Sequence, residues 1–423
     1  MHISKMEPRH RVARPCSACH TSILSIEHLT KLLNTFKISN TLVRLGRTKC
    51  SQLIKNVISP VYFKEIVTAL KDQPFSLIID ELKDISCEKY LCVVIKFYSP
   101  KYCRIFSIFL GLIHVTQTDA DTLYGLLIKF CQDCGINIKN CFSLATDLAS
   151  NLCGVNNSLY TKLKENNTNL ILLKCICHSL NLCCLRAFDD LPIDIDSIIR
   201  NTYSFFHRSS LRTSEYANLF KLVHRKYPYK FIPISTTRWL VRGKAINIII
   251  TQWSTLKDYF QLCIANCSNL SVAENLVSLY NHVNFAYLLF LKPILFEFES
   301  MNRKFQSEKA DHCRLLVELN NFVKQVMSRI IKIEYNSMVV DFENKHVFKD
   351  FDDVDIGYEC SCFLEISLSD NKLTESEILA IKKKCRLFLI TLIKQLFKKV
   401  SKNVQILDKT PSNCYQTLLF NFN

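Results

Sequence analysis

The chain has 423 residues, of which 48% are hydrophobic and 22% are charged. These proportions are typical of a folded globular protein and exclude a chain that is disordered throughout. The length is sufficient for two or three domains, or for one large core with an insertion. The net charge of +16 favours an anionic partner, although many basic proteins bind no nucleic acid.

The cysteines and the N-terminal segment favour an intracellular protein. The 21 cysteines are odd in number and scattered among apolar residues, unlike those of a small secreted disulfide scaffold. The first twenty residues lack the apolar core of a secretory signal, and no apolar run reaches transmembrane length. With seven glycines, the sequence contains no glycine-rich phosphate loop. We expect a soluble protein whose reduced thiols are buried as small apolar side chains.

The first elements along the chain are predicted to be a tail and helices. Residues 1–22 are basic and unpatterned, and residues 23–74 form a helical N-terminal segment. The first helix is predicted at residues 25–36, with Ser25 as its N-cap. Two further helices are predicted to be separated at Pro60.

The sequence period then changes from helix to strand. Apolar and β-branched residues dominate five segments, and a Pro-Lys turn joins the second to the third. A helix at residues 119–135 separates the third from the fourth and ends at a C-capping glycine. The predicted strands are residues 75–80, 89–99, 103–115, 140–147 and 169–177.

Three consecutive strands followed by alternating helices and strands predict an α/β fold with a mixed five-stranded sheet. In the usual layout, the first strand is central and the fourth is its parallel neighbour. Asp80 and Asp147, at the ends of these strands, would then meet. Buried carboxylates are costly unless they are compensated, so a shared metal ion is one interpretation. Polar strand ends or helix N-caps are the other.

Beyond residue 191 the chain is predicted to be mainly helical. Residues 236–260 form the clearest helix, and residues 265–345 carry further amphipathic patterns. An acidic break at residues 350–362 precedes a basic amphipathic helix at residues 382–403.

Five segments in this order resemble the core of hAT-superfamily transposases, over about residues 25–300. They read RTKCSQLIKNVI, FSLIIDELKDIS, FSLATDLASNLCG, LLKCICHSLNL and TTRWLVRGKAI. The likeness is greatest to domesticated or decayed hAT-like proteins that often carry a BED-type zinc finger. It implies a ribonuclease-H-like core at residues 75–260, followed by a truncated, insertion-like helical region at residues 261–423.

The resemblance also implies a DDE-type site for two-metal DNA cleavage and strand transfer. Asp80 matches the first acid and Asp147 the second, and these would bind Mg²⁺ or Mn²⁺. Leu148 replaces the family's usual glycine, and Lys83 replaces a small polar residue, so we expect catalysis to be lost. The third acid is not assigned, because the C-terminal glutamates lack the matching context. These are Glu297, Glu299, Glu365, Glu375 and Glu377.

Two further elements match the family. Arg238 and Trp239 match its TRW element, which is implied to hold DNA through phosphate contacts and base stacking. Alternatively, Trp239 anchors its helix to the sheet. Cys175 and His178 match its C-x-x-H element, for which a zinc ligand pair or a buried thiol beside a core histidine are the alternatives. The CSACH segment lacks the paired histidines of a finger, so we expect no BED finger.

Four further basic residues are expected to add positive charge to the same DNA-binding surface. They are Arg47, Lys49, Arg242 and Lys244.

The leading hypothesis is a transposon-derived, nucleic-acid-associated protein that is catalytically inactive and resides in the nucleus, with the cytoplasm as the alternative. Its expected partners are DNA and a second copy of the chain, without a membrane or a small-molecule cofactor. An active hAT-type transposase or nuclease is the second hypothesis. A protein-interaction scaffold that does not bind DNA is the third.

Overall fold

The computed structural model describes most of the chain. The described residues are 22–36, 42–71, 73–100, 102–192, 194–234, 241–265, 270–307, 312–335 and 340–401. The chain divides into two compact units. The first comprises Met1–Leu144 and Val155–Ile171, and the second comprises Ala145–Gly154 and Leu172–Asn423. The domain boundaries given above stay predictions.

The N-terminal helices of the first unit are α1 (Ile26–Thr35), α2 (Arg47–Leu53) and α3 (Ser59–Leu70). Ser25 is at the N-cap position of α1, but its side chain makes no capping hydrogen bond. A π-helical turn, Ile54–Ile58, joins α2 to α3, so the predicted separation at Pro60 is wrong. Pro60 is in the first turn of α3, where a missing N–H costs little.

The predicted α/β fold class is confirmed by a mixed five-stranded sheet. The strand order is β3-β2-β1-β4-β5, which places the first strand at the centre as predicted. The strands are β1 (Phe75–Lys83), β2 (Lys89–Ser99), β3 (Arg104–Val115), β4 (Cys141–Thr146) and β5 (Ile171–Lys174).

Antiparallel pairing of β1, β2 and β3 follows the alternation of their side chains. Leu77 and Ile79 point to a fully buried face, and Ile79 pairs with Val93 on that face. The helix α4 (Ala120–Asp133) packs near β3, where the Phe130 ring fills the space beside Gly111. Asp119 caps α4 by accepting a hydrogen bond from the N–H of Thr122. The buried face and α4 form the core beside the sheet.

Two short helices, α5 (Ser150–Cys153) and α6 (Leu159–Asn166), lie between β4 and β5. The rest of the described chain is mainly helical, as predicted. The further helices are α7 (Ile176–Phe188), α8 (Asp194–His207), α9 (Ser210–His224), α10 (Val241–Thr251), α11 (Trp253–Ala265), α12 (Leu270–Leu279), α13 (His282–Phe305), α14 (His312–Ile330), α15 (Tyr358–Ser369) and α16 (Glu375–Leu396). In the described part of the chain, no helix is both long enough and apolar enough to span a membrane.

Two predicted helices have different bounds in the structure. The single helix at residues 236–260 is instead α10 and α11, broken at Gln252. The Gln252 side chain donates to the carbonyls of Ile248 and Tyr229, which fixes the chain at the break. The helix predicted from residue 382 starts earlier, as α16, because Thr374 forms a capping box with Glu377.

Candidate functional site

Asp80 lies within β1 rather than at its end. The strand continues for three residues to Lys83, and Asp80 pairs with Cys92 of β2. Its side chain is exposed, so burial does not oppose its charge. Partial burial raises the pKa of the Cys92 thiol, and the charge of Asp80 raises it further. Asp80 therefore places a negative charge on the sheet face opposite Leu77 and Ile79.

The same face contains a buried polar group that sequence reasoning missed. The Ser143 hydroxyl of β4 donates to the Ser76 hydroxyl of β1 at 2.8 Å. Lys96 of β2 pairs with Ser76 of β1 and is buried, and this burial lowers the pKa of Lys96 to about 8. The sequence signal was a lysine at an alternating position within an otherwise apolar strand. Its burial depends on the neighbouring strands.

Asp147 directly follows β4 and is half-buried. Its Oδ1 accepts a hydrogen bond from the N–H of Ala149 at 2.9 Å, which forms a side-chain turn before α5. The preceding carbonyl, of Thr146, accepts from the N–H of Cys175 at 3.0 Å. Asp147 thus forms a turn after β4, and it is not the helix N-cap that was one alternative to a metal ligand, because the N-cap residue of α5 is Ala149. This contact leaves its other carboxylate oxygen for a second partner.

Three of the five glutamates named above for the third acid serve local structure in the second unit. Glu297 pairs with Arg329 at 2.8 Å, and Glu299 pairs with Arg303 at 3.0 Å. Glu377 accepts the N–H of Thr374 in the capping box, and this hydrogen bond lowers its pKa. These contacts fix each carboxylate within its own group of helices.

The resemblance to hAT transposases implies a two-metal centre. Such a centre needs several carboxylates around two ions that are about 3.5–4 Å apart. Among the described residues, no group of three or more His, Cys, Asp or Glu side chains is placed to hold a metal ion. The described donors therefore do not fit a complete two-metal site.

The C-x-x-H element forms the start of a helix. Cys175 is the N-cap of α7, and its sulfur accepts a hydrogen bond from the backbone N–H of His178 at 3.5 Å. A hydrogen bond with Cys175 raises the pKa of the Cys177 thiol, and burial raises it further. The spacing of Cys175 and His178 is thus the spacing of a side-chain helix cap.

Arg238 and Trp239 lie outside the described residues, so their contact with DNA stays a prediction. Arg242 is buried with 5% of its side chain exposed, and its Nε donates to Asp196 at 2.9 Å. The prediction that Arg242 adds charge to a DNA-binding surface is therefore wrong. Lys244 is exposed but lies 3.5 Å from Glu299, while Lys49 of α2 is exposed.

Residues 32–157 match the family model described as DUF4371: ZMYM1/FAM200, RNase-like domain. This part of the chain resembles that RNase-like domain. The match covers β1 to β4 and includes both Asp80 and Asp147. It points to a domesticated, transposase-like domain. The matched residues contain the central strand and the buried Ser76–Ser143 contact described above.

Proposed function

We propose that this chain is a transposon-derived, hAT-like protein that associates with nucleic acid in the nucleus and no longer catalyses strand transfer. The match of residues 32–157 to an RNase-like domain carries this proposal. The five hAT-like segments support the narrower family assignment, because three of them lie within the matched residues and two follow in the rest of the chain, in the order that the family has.

The charge of the chain supports an anionic partner. A net charge of +16 attracts the phosphate backbone and releases its counterions. In this proposal Arg238 contacts phosphate, and Trp239 stacks on an unpaired base. Arg242 is excluded from this surface by its buried pair with Asp196.

The loss of catalysis is supported by what the carboxylates do locally. Asp147 forms a turn with Ala149, and Glu297 and Glu299 are held by arginines. Leu148 adds a side chain where the family has glycine. In the proposal, Asp80 and Asp147 retain at most weak affinity for one Mg²⁺ or Mn²⁺ ion, which is insufficient for two-metal phosphodiester chemistry.

A salt titration of DNA binding tests the association. The logarithm of the association constant for a short duplex should fall linearly with the logarithm of the salt concentration, with a slope of about −0.9 per phosphate contacted. Arg238→Ala should weaken binding to every substrate. Trp239→Ala should cost about 1–3 kcal/mol on a substrate with unpaired bases and less on a blunt duplex.

Arg314→Ala is the matched control for the arginine, because Arg314 is an exposed cation of α14. Its affinity should be close to that of the unmodified chain. Binding that is absent at low salt would contradict the association and favour a protein-interaction scaffold.

A cleavage assay tests the catalytic part separately. With Mg²⁺ or Mn²⁺, the chain should release no more product than the Asp80→Asn and Asp147→Asn variants. Robust cleavage that both substitutions abolish would show an active nuclease or transposase instead.

A further inference from the structure

A cavity of about 880 Å³ lies within the helical second unit. It is lined by α10, α13 and α14 and by the start of α15. Leu289 and Pro293 of α13 supply an apolar part of its wall. Its volume is in the range of pockets that bind small organic ligands, which are about 300–1,000 Å³.

Four cationic side chains converge on the cavity. They are Lys244, Lys292, Arg303 and Arg329. Three carboxylates also line it, and each is within an ion pair with one of these cations. The carboxylates are Glu299, Asp355 and Glu359. Lys244 and Arg303 share Glu299, so one positive charge is in excess on that side of the cavity, whereas Arg329 lies between the carboxylates of Asp355 and Glu297. An anionic group on a ligand would balance the charge beside Lys244 and Arg303.

Arg329 has a donor that its neighbours do not satisfy. Its side chain is nine-tenths buried, Nη1 donates to Asp355 at 3.2 Å and Nη2 donates to Glu297 at 2.8 Å. Among the described residues, its Nε has no hydrogen-bond acceptor, although the atom is buried. A buried N–H without an acceptor is costly. A ligand oxygen in the cavity would remove that cost.

The start of α15 adds backbone donors. Gly357 is its N-cap, with φ of +87°, and no side chain caps the helix. Gly357, Tyr358 and Glu359 line the cavity, so the first turn of a 12-residue helix borders it. The N–H of Gly357 already donates to the Asp355 carboxylate at 2.9 Å, and the N–H groups that follow it in the first turn attract anions. Glu359 would oppose an anion, but both its oxygens lie 2.8 Å from Lys292 Nζ.

Two aromatic rings border the same cavity. Phe296 is 67% exposed and Tyr358 is 84% exposed, although both are large and apolar over most of their surface. Flat rings of this kind stack on nucleobases for about 1–3 kcal/mol per base. The cavity thus combines an aromatic border with anion-binding groups.

We propose that this cavity binds a nucleoside phosphate. The phosphate lies at the start of α15, near Arg303 and Arg329, and the base lies against Phe296 and Tyr358. The source is either a free nucleotide or an unpaired nucleotide of a nucleic-acid strand. The second source rests on the proposed function.

Calorimetry of the full chain with ATP, adenosine and pyrophosphate tests the site. Arg303 and Tyr358 are exposed, so their substitution should leave the fold intact. Arg303→Ala should weaken ATP and pyrophosphate binding about tenfold, equivalent to about 1.4 kcal/mol. Tyr358→Ala should weaken ATP and adenosine binding by a similar factor and leave pyrophosphate binding unchanged.

Matched controls come from the same unit. Arg314 pairs with Glu318 one turn along its helix, as Arg303 does with Glu299, and Tyr227 is a 72% exposed tyrosine. Arg314→Ala and Tyr227→Ala should bind ATP as the unmodified chain does. The inference is overturned if the cavity variants change neither the affinity for ATP nor the affinity for an oligonucleotide with one unpaired nucleotide. It is also overturned if the control variants weaken binding equally.

The effect of Tyr358→Ala on oligonucleotide binding distinguishes a free nucleotide from a nucleotide within a strand. If a free nucleotide is the ligand, ATP binds and Tyr358→Ala does not change affinity for the oligonucleotide. If a strand supplies it, Tyr358→Ala weakens oligonucleotide binding more than blunt-duplex binding. Salt-dependent DNA binding without any effect of the cavity variants, together with no ATP binding, would overturn the cavity and keep the proposed function. ATP binding at the cavity without any DNA binding would keep the cavity as a nucleotide site and overturn the proposed function.

Discussion

Lys96 lies in the middle of β2 with 7% of its surface exposed, and burial lowers its pKa from an ordinary value of 10.5 to about 8. Between these two values the unfolded chain binds more protons at this residue than the folded chain does. The free energy of unfolding therefore rises with pH across that window. The penalty for burying the charge is fully present below pH 8 and is relieved as the pH increases towards 10.5.

Replacing Lys96 with methionine should remove this penalty. Near pH 7, Lys96→Met should raise the free energy of unfolding by about 1–3 kcal/mol, since an apolar group of similar length replaces a buried charge. The gain should disappear near pH 10. Urea denaturation at both pH values measures the difference. Lys89→Met, at an exposed position of the same strand, should change stability little, and an equal gain from it would contradict the explanation.

The packing of α4 on β3 depends on the absence of a side chain at Gly111. A Cβ at Gly111 would lie 2.8 Å from the Phe130 ring. We expect Gly111→Ala to lower the free energy of unfolding by about 1–3 kcal/mol, because the ring must shift within a packed interface. Adding Phe130→Leu should recover part of this loss. Thermal denaturation of the single and double variants measures both effects.

Gly125 provides the opposite case in the same helix as Phe130. A Cβ there would meet nothing within 4 Å. Gly125→Ala should therefore stabilise the chain by about 0.5–1 kcal/mol through helix propensity alone. Destabilisation by both alanines would contradict the assigned contact between α4 and β3.

The ion pair between Asp196 and Arg242 joins α8 to α10. Burial raises the pKa of Asp196, but hydrogen bonds and charges from Arg242 and Arg200 outweigh burial and lower it below 3.8. Asp196→Asn leaves Arg242 buried without its counter-charge and should cost about 3 kcal/mol near neutral pH. The difference from the unmodified chain should shrink as the pH falls through the lowered pKa.

Asp189 gives the exposed comparison. Its pair with Arg186 is exposed on both sides, so Asp189→Asn should change stability by less than about 1 kcal/mol. Chemical denaturation over an acid pH series distinguishes the two pairs. An Asp196→Asn effect as small as that of Asp189→Asn would show that the buried pair does not stabilise the helices.

At the scale of the whole molecule, the thiols divide by burial. The described cysteines form no disulfides, and most are buried. Burial raises the pKa of Cys141 to about 12 and raises those of Cys184 and Cys385 well above their ordinary value. Because the thiolate is the reactive form, alkylation should modify the exposed Cys87 and Cys103 first among the described cysteines.

Peptide mapping of the folded chain by mass spectrometry measures the order of labelling. Cys141, Cys184 and Cys385 should react only after denaturant is added. Rapid labelling of Cys184 without denaturant would show that the helical core opens readily.

The sequence by itself determined the order of elements and the layout of the sheet. Strand alternation, the turn residues and the helix caps are local, so Asp119 and Gly135 marked the ends of α4 correctly. The rules that govern strand connections then placed β1 at the centre. Candidate acids could be named as well, because Asp80 and Asp147 occupy recognisable places relative to these strands.

Only the tertiary structure decided how much charge each polar residue exposes and which partner it has. Arg242 meets an aspartate 46 residues away, and Lys96 is buried by strands on both sides of it. The cavity collects side chains from four separate helices. Burial and ion pairing cannot be predicted from the local sequence, because they depend on which distant segments pack together. For the same reason, the spacing of Cys175 and His178 matched a metal-binding element, whereas in the structure Cys175 is the N-cap of α7.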